Sequence, residues 1–167
     1  MIGNIGRLER QKNQEYLLDI FLSVLRKYPD SYLLIIGDGA LRQDLEQKIH
    51  SKKIESRVKL LGERKDIPDL LKIMDVFVMT SLYEGLPMVG LEAQAAGLKL
   101  VLADTISKDT KVTKNVSFVS LDKNSEQWVD IIIEPPFNND MTVELQSYDV
   151  SYTTKQMERI YNRKCEE

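Results

Sequence analysis

The sequence is poor in the side chains that most often cross-link a chain or hold a metal. Its 167 residues include one cysteine, Cys165, and one histidine, His50. A single thiol excludes an internal disulfide and a cysteine-built metal cluster. It fits a reducing compartment, and Cys165 reads as a bystander. His50 lies in the polar run QKIHSKK and reads as a surface residue, so histidine-based acid–base catalysis is not expected. No apolar run approaches the roughly 18 residues of a membrane-spanning helix, and no secretory leader is visible. The expectation is a cytoplasmic domain, touching a membrane only peripherally, at its inner face. Positive charge is not in excess either: 23 Lys and Arg against 26 Asp and Glu leave a net charge of −3. Nucleic acid is therefore not an expected partner. There is no Walker pattern and no acidic cluster of the kind that holds Mg²⁺, so no metal site is expected.

What is present is an ordinary globular balance, 43% hydrophobic and 29% charged, long enough for one domain with a real core. Short apolar runs alternate with helical patterns. MIGNIG, SYLLIIG, RVKLLG, DVFVMT, LKLVLAD and VSFVSL read as strands. NQEYLLDIFLSVLRKYP, ALRQDLEQKIHSKK, DIPDLLKIM, residues 86–96 and NSEQWVDIII read as helices. Asn13 and Asp66 are candidate N-caps, and a last helix is expected near Tyr152–Arg163 after an irregular stretch. Continuous apolar strands separated by helices imply an α/β fold, a Rossmann-like parallel sheet with helices on both faces. In such sheets ligands bind at the carboxyl ends of the strands, beside a topological switch point. The ends to inspect are Gly6-Arg7, Gly37-Asp38-Gly39, Gly62-Glu63, Thr80-Ser81 and Ala103-Asp104.

The sharpest feature is YEGLPMVGLEAQAAGLKLVLAD, from Tyr83 to Asp104. Pro87 suits the first turn of a helix. That turn's free N–H groups and the positive end of the macrodipole make an anion site. Gly85 would let a ligand approach the backbone. Gly90 mid-helix costs roughly 1 kcal/mol against alanine, so tight packing or a ligand should compensate. Glu92 shares a face with Met88, Val89, Ala95 and Ala96 on a helix expected to be buried. It must then meet a cation, protein donors or ligand hydroxyls. A structural acid at Glu92 and a dipole-complementing acid at Glu84 are the competing readings. Eight helical residues span about 12 Å, whereas hydrolase carboxyl pairs need about 5–9.5 Å. The spacing therefore disfavours a glycosidase pair and suits two contacts along one extended ligand.

GRLERQKN places Arg7 and Lys12 after the first strand, a planar fork and a point charge suited to phosphate. On local evidence, solvated surface charges are an equal alternative. In GDGALRQDL the third glycine of a dinucleotide fingerprint falls on Arg42, so that fingerprint fails. Gly37–Gly39 reads as a tight turn bordering a ligand cleft.

The order of G-R-L, Q-K-N, strand-GDG, VKLLG and MDVFVMTSLYEGLPMVGLEAQAAGLKLVLAD resembles the donor-binding domain of retaining glycosyltransferases of the GT-B fold. Within these it is similar to family 4, the group 1 transferases, especially bacterial ones for capsule or exopolysaccharide. The resemblance covers roughly residues 3–134, and its most specific part is Glu84 with Glu92. It implies transfer of a hexose with retention from a nucleoside diphosphate sugar, UDP being the nucleotide most used, to a glycan or lipid-linked acceptor, without a cofactor. Arg7 and Lys12 would bind the diphosphate and Glu84 would lie by the donor sugar; these three are the implied catalytic groups. The backbone of Gly85, Leu86, Pro87 and Met88 would contact sugar and phosphate. Glu92 would hold the ribose hydroxyls. Glu63 and Arg64 would border the base, and Gly6, Gly37 and Gly39 would line the donor cleft.

MTSLYE departs from the commoner PSLYE, and Gly90 stands where a bulkier aliphatic is usual. A GT-B enzyme has two domains. The expectation is a donor-binding domain over residues 1–149 with its tail at 150–167, lacking the N-terminal acceptor domain and inactive by itself. A non-catalytic nucleotide-sugar module, or one chain of a two-chain transferase, is the alternative. A flavodoxin-like signalling domain is disfavoured because Asp38 and Asp104 form no convincing acidic cluster.

Overall fold

The structure, a computed structural model, describes residues 1–136. Tyr152–Arg163, the tail at 150–167 and Cys165 lie outside them. Six strands form one parallel sheet: β1 (Ile2–Ile5), β2 (Leu33–Ile36), β3 (Val58–Leu60), β4 (Val76–Met79), β5 (Lys99–Ala103) and β6 (Val116–Val119). Five helices connect or follow them: α1 (Gln14–Lys27), α2 (Arg42–Ser51), α3 (Ile67–Lys72), α4 (Met88–Ala95) and α5 (Ser125–Ile133). The spatial order is β3-β2-β1-β4-β5-β6, the doubly wound order. Successive connections run one way from β1 and the other way from β4, so right-handed crossovers cover both faces. All the strands expected from the sequence are present.

β2, β4 and β5 are buried along their whole length, which is why they lack the alternation of a one-sided sheet. α1 buries Leu17, Leu18, Ile20, Phe21 and Val24 and packs against α2 and α5. Trp128 of α5 is fully buried; its ring meets Tyr16 edge-on at 6.0 Å, and its indole N–H donates to Ser120 O at 3.1 Å.

The caps differ from expectation in instructive ways. Asn124, near which the helix was expected to start, caps α5, its Oδ1 accepting from Gln127 N at 3.0 Å. Asn13 occupies the N-cap of α1 in a left-handed conformation (φ 52°) without side-chain capping; its amide donates instead to Thr80 O at 3.1 Å. Asp66 stands at the N-cap of α3, but its carboxylate pairs with Arg64, Nε–Oδ1 2.8 Å and Nη2–Oδ2 2.6 Å. α4 begins at Met88 rather than Leu86. Leu86 precedes a proline, which disfavours the helical region, and Pro87 is itself extended at ψ 113°. The helix ends in a Schellman turn: Gly97 at φ 80°, Leu98 N to Ala93 O at 3.1 Å and Gly97 N to Gln94 O at 2.9 Å.

Candidate functional site

The switch point lies between β1 and β4, so the loops after these strands face one another at the carboxyl edge. They are stitched together by hydrogen bonds. Leu82 N donates to Gln11 O at 2.8 Å, Gln11 Nε2 to Tyr83 O at 2.9 Å, and Thr80 Oγ1 to Asn13 O at 2.9 Å. The loop after β5 joins from the other side: Thr105 Oγ1 donates to Ser81 O at 2.7 Å and Ser107 N to Glu84 O at 3.1 Å.

Lys12 and Glu84 meet at the centre as an ion pair, their side chains 19% and 11% exposed. Gly6 makes room for the lysine stem: a Cβ there would lie 3.2 Å from Lys12 Cε. An ammonium has three donors, so pairing with Glu84 leaves it able to hold a further oxygen. Just beyond, Gly85 is exposed, and a Cβ added to it would meet nothing within 4 Å. The backbone entering α4 is therefore open to approach. Each of α1, α2, α3 and α5 carries an acid in its first turn, and α4 carries none. The positive end of α4 has no carboxylate of its own to complement it. Leu82, Tyr83, Leu86 and Met88, on the same segment of chain, are exposed.

The other candidate residues lie at the same edge but not in one cluster. Arg7 is exposed and its guanidinium pairs with Glu9 at 3.3 Å. Glu63 and Arg64 are exposed in the loop after β3, brought beside the end of β2 by the Gly37–Gly62 bridge. The turn at Gly37–Gly39 is shaped by close backbone approach: a Cβ on Gly37 would lie 2.1 Å from Gly6 O, and one on Gly39 2.5 Å from Leu8 O. Those glycines seat the β2 loop against the β1 loop.

Glu92 corrects an expectation. It is exposed, together with Met88, Ala95 and Ala96, and the buried face of α4 is Gly90, Leu91, Ala93 and Gln94. The carboxylate is not enclosed by protein but stands on the solvent side of the helix. Gly90 is explained by packing: a Cβ there would lie 3.1 Å from Thr110 Cγ2. Of the residues that tie the loops together, Thr80 was marked only as a strand end, and Gln11, Thr105 and Ser107 were not singled out in the sequence. Their only signal was their position at the ends of β1, β4 and β5.

Among the described residues no group of three or more His, Cys, Asp or Glu is placed to hold a metal, and no helix is long and apolar enough to cross a membrane.

Residues 1–141 match the family model of the glycosyl transferases group 1. This chain belongs to that family. Its Rossmann-like sheet is one half of a GT-B fold. This group 1 domain is 40% identical over 114 residues to the UDP-Gal:alpha-D-GlcNAc-diphosphoundecaprenol alpha-1,3-galactosyltransferase of Escherichia coli, across 66% of this chain and 29% of that one. The crystal structure of Anabaena Alr3699/HepE in complex with UDP and glucose superposes with a TM-score of 0.80 at 25% identity, over 96% of this chain and 47% of that one. The C-terminal domain of a group 1 family protein (LpcC) from Francisella tularensis superposes with a TM-score of 0.65 at 25% identity, over 77% and 71% of the two chains. The chain spans about a third of the length of the curated relatives it matches.

Proposed function

We propose that this domain is the donor-binding half of a retaining hexosyltransferase that takes a nucleoside diphosphate sugar, with UDP as the nucleotide. The supporting observation is the Lys12–Glu84 pair at the switch point, beside the open, acid-free start of α4. A diphosphate needs cationic and N–H donors, and a sugar needs acceptors for its hydroxyls. Lys12, set between the phosphate and Glu84, supplies the cationic donor and the Glu84 carboxylate the acceptors, without carboxylate–phosphate repulsion. The UDP and glucose of the Anabaena relative support the same ligand class.

In this reading Lys12 and Arg7 hold the diphosphate, Arg7 turning from Glu9 to do so. The backbone of Gly85, Leu86, Pro87 and Met88 contacts phosphate and sugar, and Glu84 orients the sugar. Glu92 accepts from the ribose hydroxyls on the solvent side of α4. Glu63 and Arg64 border the base, largely through backbone, and the Gly6, Gly37 and Gly39 turns floor the cleft. Catalysis then consists of stabilising the departing diphosphate and orienting the acceptor. The leaving phosphate takes the acceptor's proton. Residues 1–149 form this donor domain with 150–167 as its tail. The acceptor, a glycan or lipid-linked sugar at the cytoplasmic membrane face, is bound by a separate N-terminal domain.

Calorimetry of the chain with UDP, GDP and ADP, without Mg²⁺, tests the reading. Heat of binding with at least one, strongest with UDP, is the expected result. A folded sample silent to all three overturns it.

A further inference from the structure

Gln94 lies on the buried face of α4, 2% exposed, two residues and about 200° around the helix from Glu92. Its amide is saturated. Oε1 accepts from Val112 N at 3.0 Å, Thr113 N at 3.0 Å and Thr113 Oγ1 at 3.1 Å. Nε2 donates to Gly90 O at 2.9 Å and Thr110 O at 2.7 Å. One side chain thus ties the far end of the loop between β5 and β6 to α4.

The near end of the same loop holds the candidate site. Ile106 pairs with Glu84 as an isolated parallel bridge, Ser107 N donates to Glu84 O at 3.1 Å, and Thr105 Oγ1 donates to Ser81 O at 2.7 Å. Between the two ends, a short 3-10 turn at Lys108–Thr110 closes the span, and Thr110 packs its methyl group over Gly90. The loop is a bracket with one arm on Glu84 and the other on the helix that begins four residues later. Glu84 is held from the lysine side by its carboxylate and from the bracket side by its backbone.

We propose that Gln94 is a positioning residue for the donor sugar. It fixes the bracket to α4, and the bracket fixes Glu84 against Lys12 and the helix start. This rests on the donor-site reading above. Gln94 touches no ligand in this scheme and acts only through the loop. A buried amide with all its bonds made is well suited to that task, because any shift of the loop leaves donors or acceptors unpaired in the interior.

The test uses the full chain and the variant Gln94→Met, which keeps the length and removes the polar bonds. Two quantities are read. One is hydrogen exchange at the Ser107 amide. The other is the ratio of affinities for a nucleotide sugar and its bare nucleoside diphosphate, using whichever of UDP-glucose/UDP, UDP-galactose/UDP or GDP-mannose/GDP the wild type discriminates best. The expected result is Ser107 exchange faster by about tenfold or more. The ratio should fall by about tenfold, as for one hydrogen bond to a charged group. A residue that only stabilises packing would lower the melting temperature and leave the ratio unchanged; that outcome overturns the proposal. Should Gln94→Met fail to fold, Thr113→Val removes a single bond from the same amide. It should move both quantities in the same direction by a smaller amount, and an unmoved ratio overturns the proposal equally. A wild type that binds none of these ligands overturns the donor reading and this inference with it. A wild type that discriminates alongside variants that discriminate equally well overturns this inference alone.

Discussion

Lys12 and Glu84 are 72 residues apart in the chain and form one shielded ion pair in the fold. Lys12 follows β1 and Glu84 follows β4, neighbours only because the strand order reverses between them. The pair holds two charges largely out of water, so each needs the other or a ligand to replace it. Lys12→Ala should therefore weaken UDP binding by about 10- to 100-fold, as expected for loss of a charged hydrogen bond. Glu84→Gln should retain UDP binding and lose the preference for a UDP-sugar over UDP. Titration of both variants with both ligands checks this. Equal loss of UDP affinity in the two would contradict the division of roles.

Glu92 is exposed, so Glu92→Ala should leave stability within about 0.5 kcal/mol of wild type. Its effect should fall on the ligand: UDP binding weaker by about 1–3 kcal/mol, and no further loss for a UDP analogue lacking the ribose hydroxyls. Chemical denaturation and a binding cycle with the deoxy analogue separate the two effects.

Gly90 is held close by Thr110, with 3.1 Å available between a new Cβ and Thr110 Cγ2. Alanine at position 90 improves helix propensity by about 1 kcal/mol but crowds that methyl group. Thr110→Ser removes the crowding. Gly90→Ala should then stabilise the Thr110→Ser background more than the wild type, a coupling of about 0.5 kcal/mol or more between contacting residues. A thermodynamic cycle of unfolding free energies measures it, and strict additivity would rule it out.

Lys99 is buried in β5 at 6% exposure, its ammonium donating to Ile131 O and to Glu134 O at the end of α5. Burial pushes its pKa below the ordinary 10.5, with Glu134 opposing. A lowered lysine pKa means that the folded protein binds fewer protons than the unfolded chain in the window ending near 10.5. Stability from this group therefore rises with pH through that window and is least where both states are protonated. The stability of wild type relative to Lys99→Met should increase between pH 7 and pH 10. A flat difference would show that the two carbonyls fully compensate the burial.

Much of the fold could be read from the chain because its local signals agree. β2, β4 and β5 are buried on both faces, and their apolar runs show it directly. α1 carries a one-sided apolar stripe, and Asn124 sits where a cap is needed. Glu84, Gly85 and Lys12 stood out because strand ends are where ligands are bound. α4 misled because it is small or apolar nearly all round, so no face marks itself as the buried one. Leu91 and Gln94 turned inward while Met88 and Glu92 turned outward. Asn13 and Asp66 were legible as cap positions but not as caps, since Thr80 and Arg64 compete for their side chains.

By itself the sequence determined the alternation of buried strands and helices, and hence a single parallel sheet covered by helices on both faces, with polar residues gathered at the strand ends. Local propensity and hydrophobic period act over a few residues and suffice for that. Only the tertiary structure decided that Lys12 reaches Glu84, that Glu92 faces solvent, and that Gln94 holds the loop behind Glu84. These contacts join segments distant in the chain. They depend on which strands become neighbours and on which side of a nearly uniform helix the sheet happens to lie.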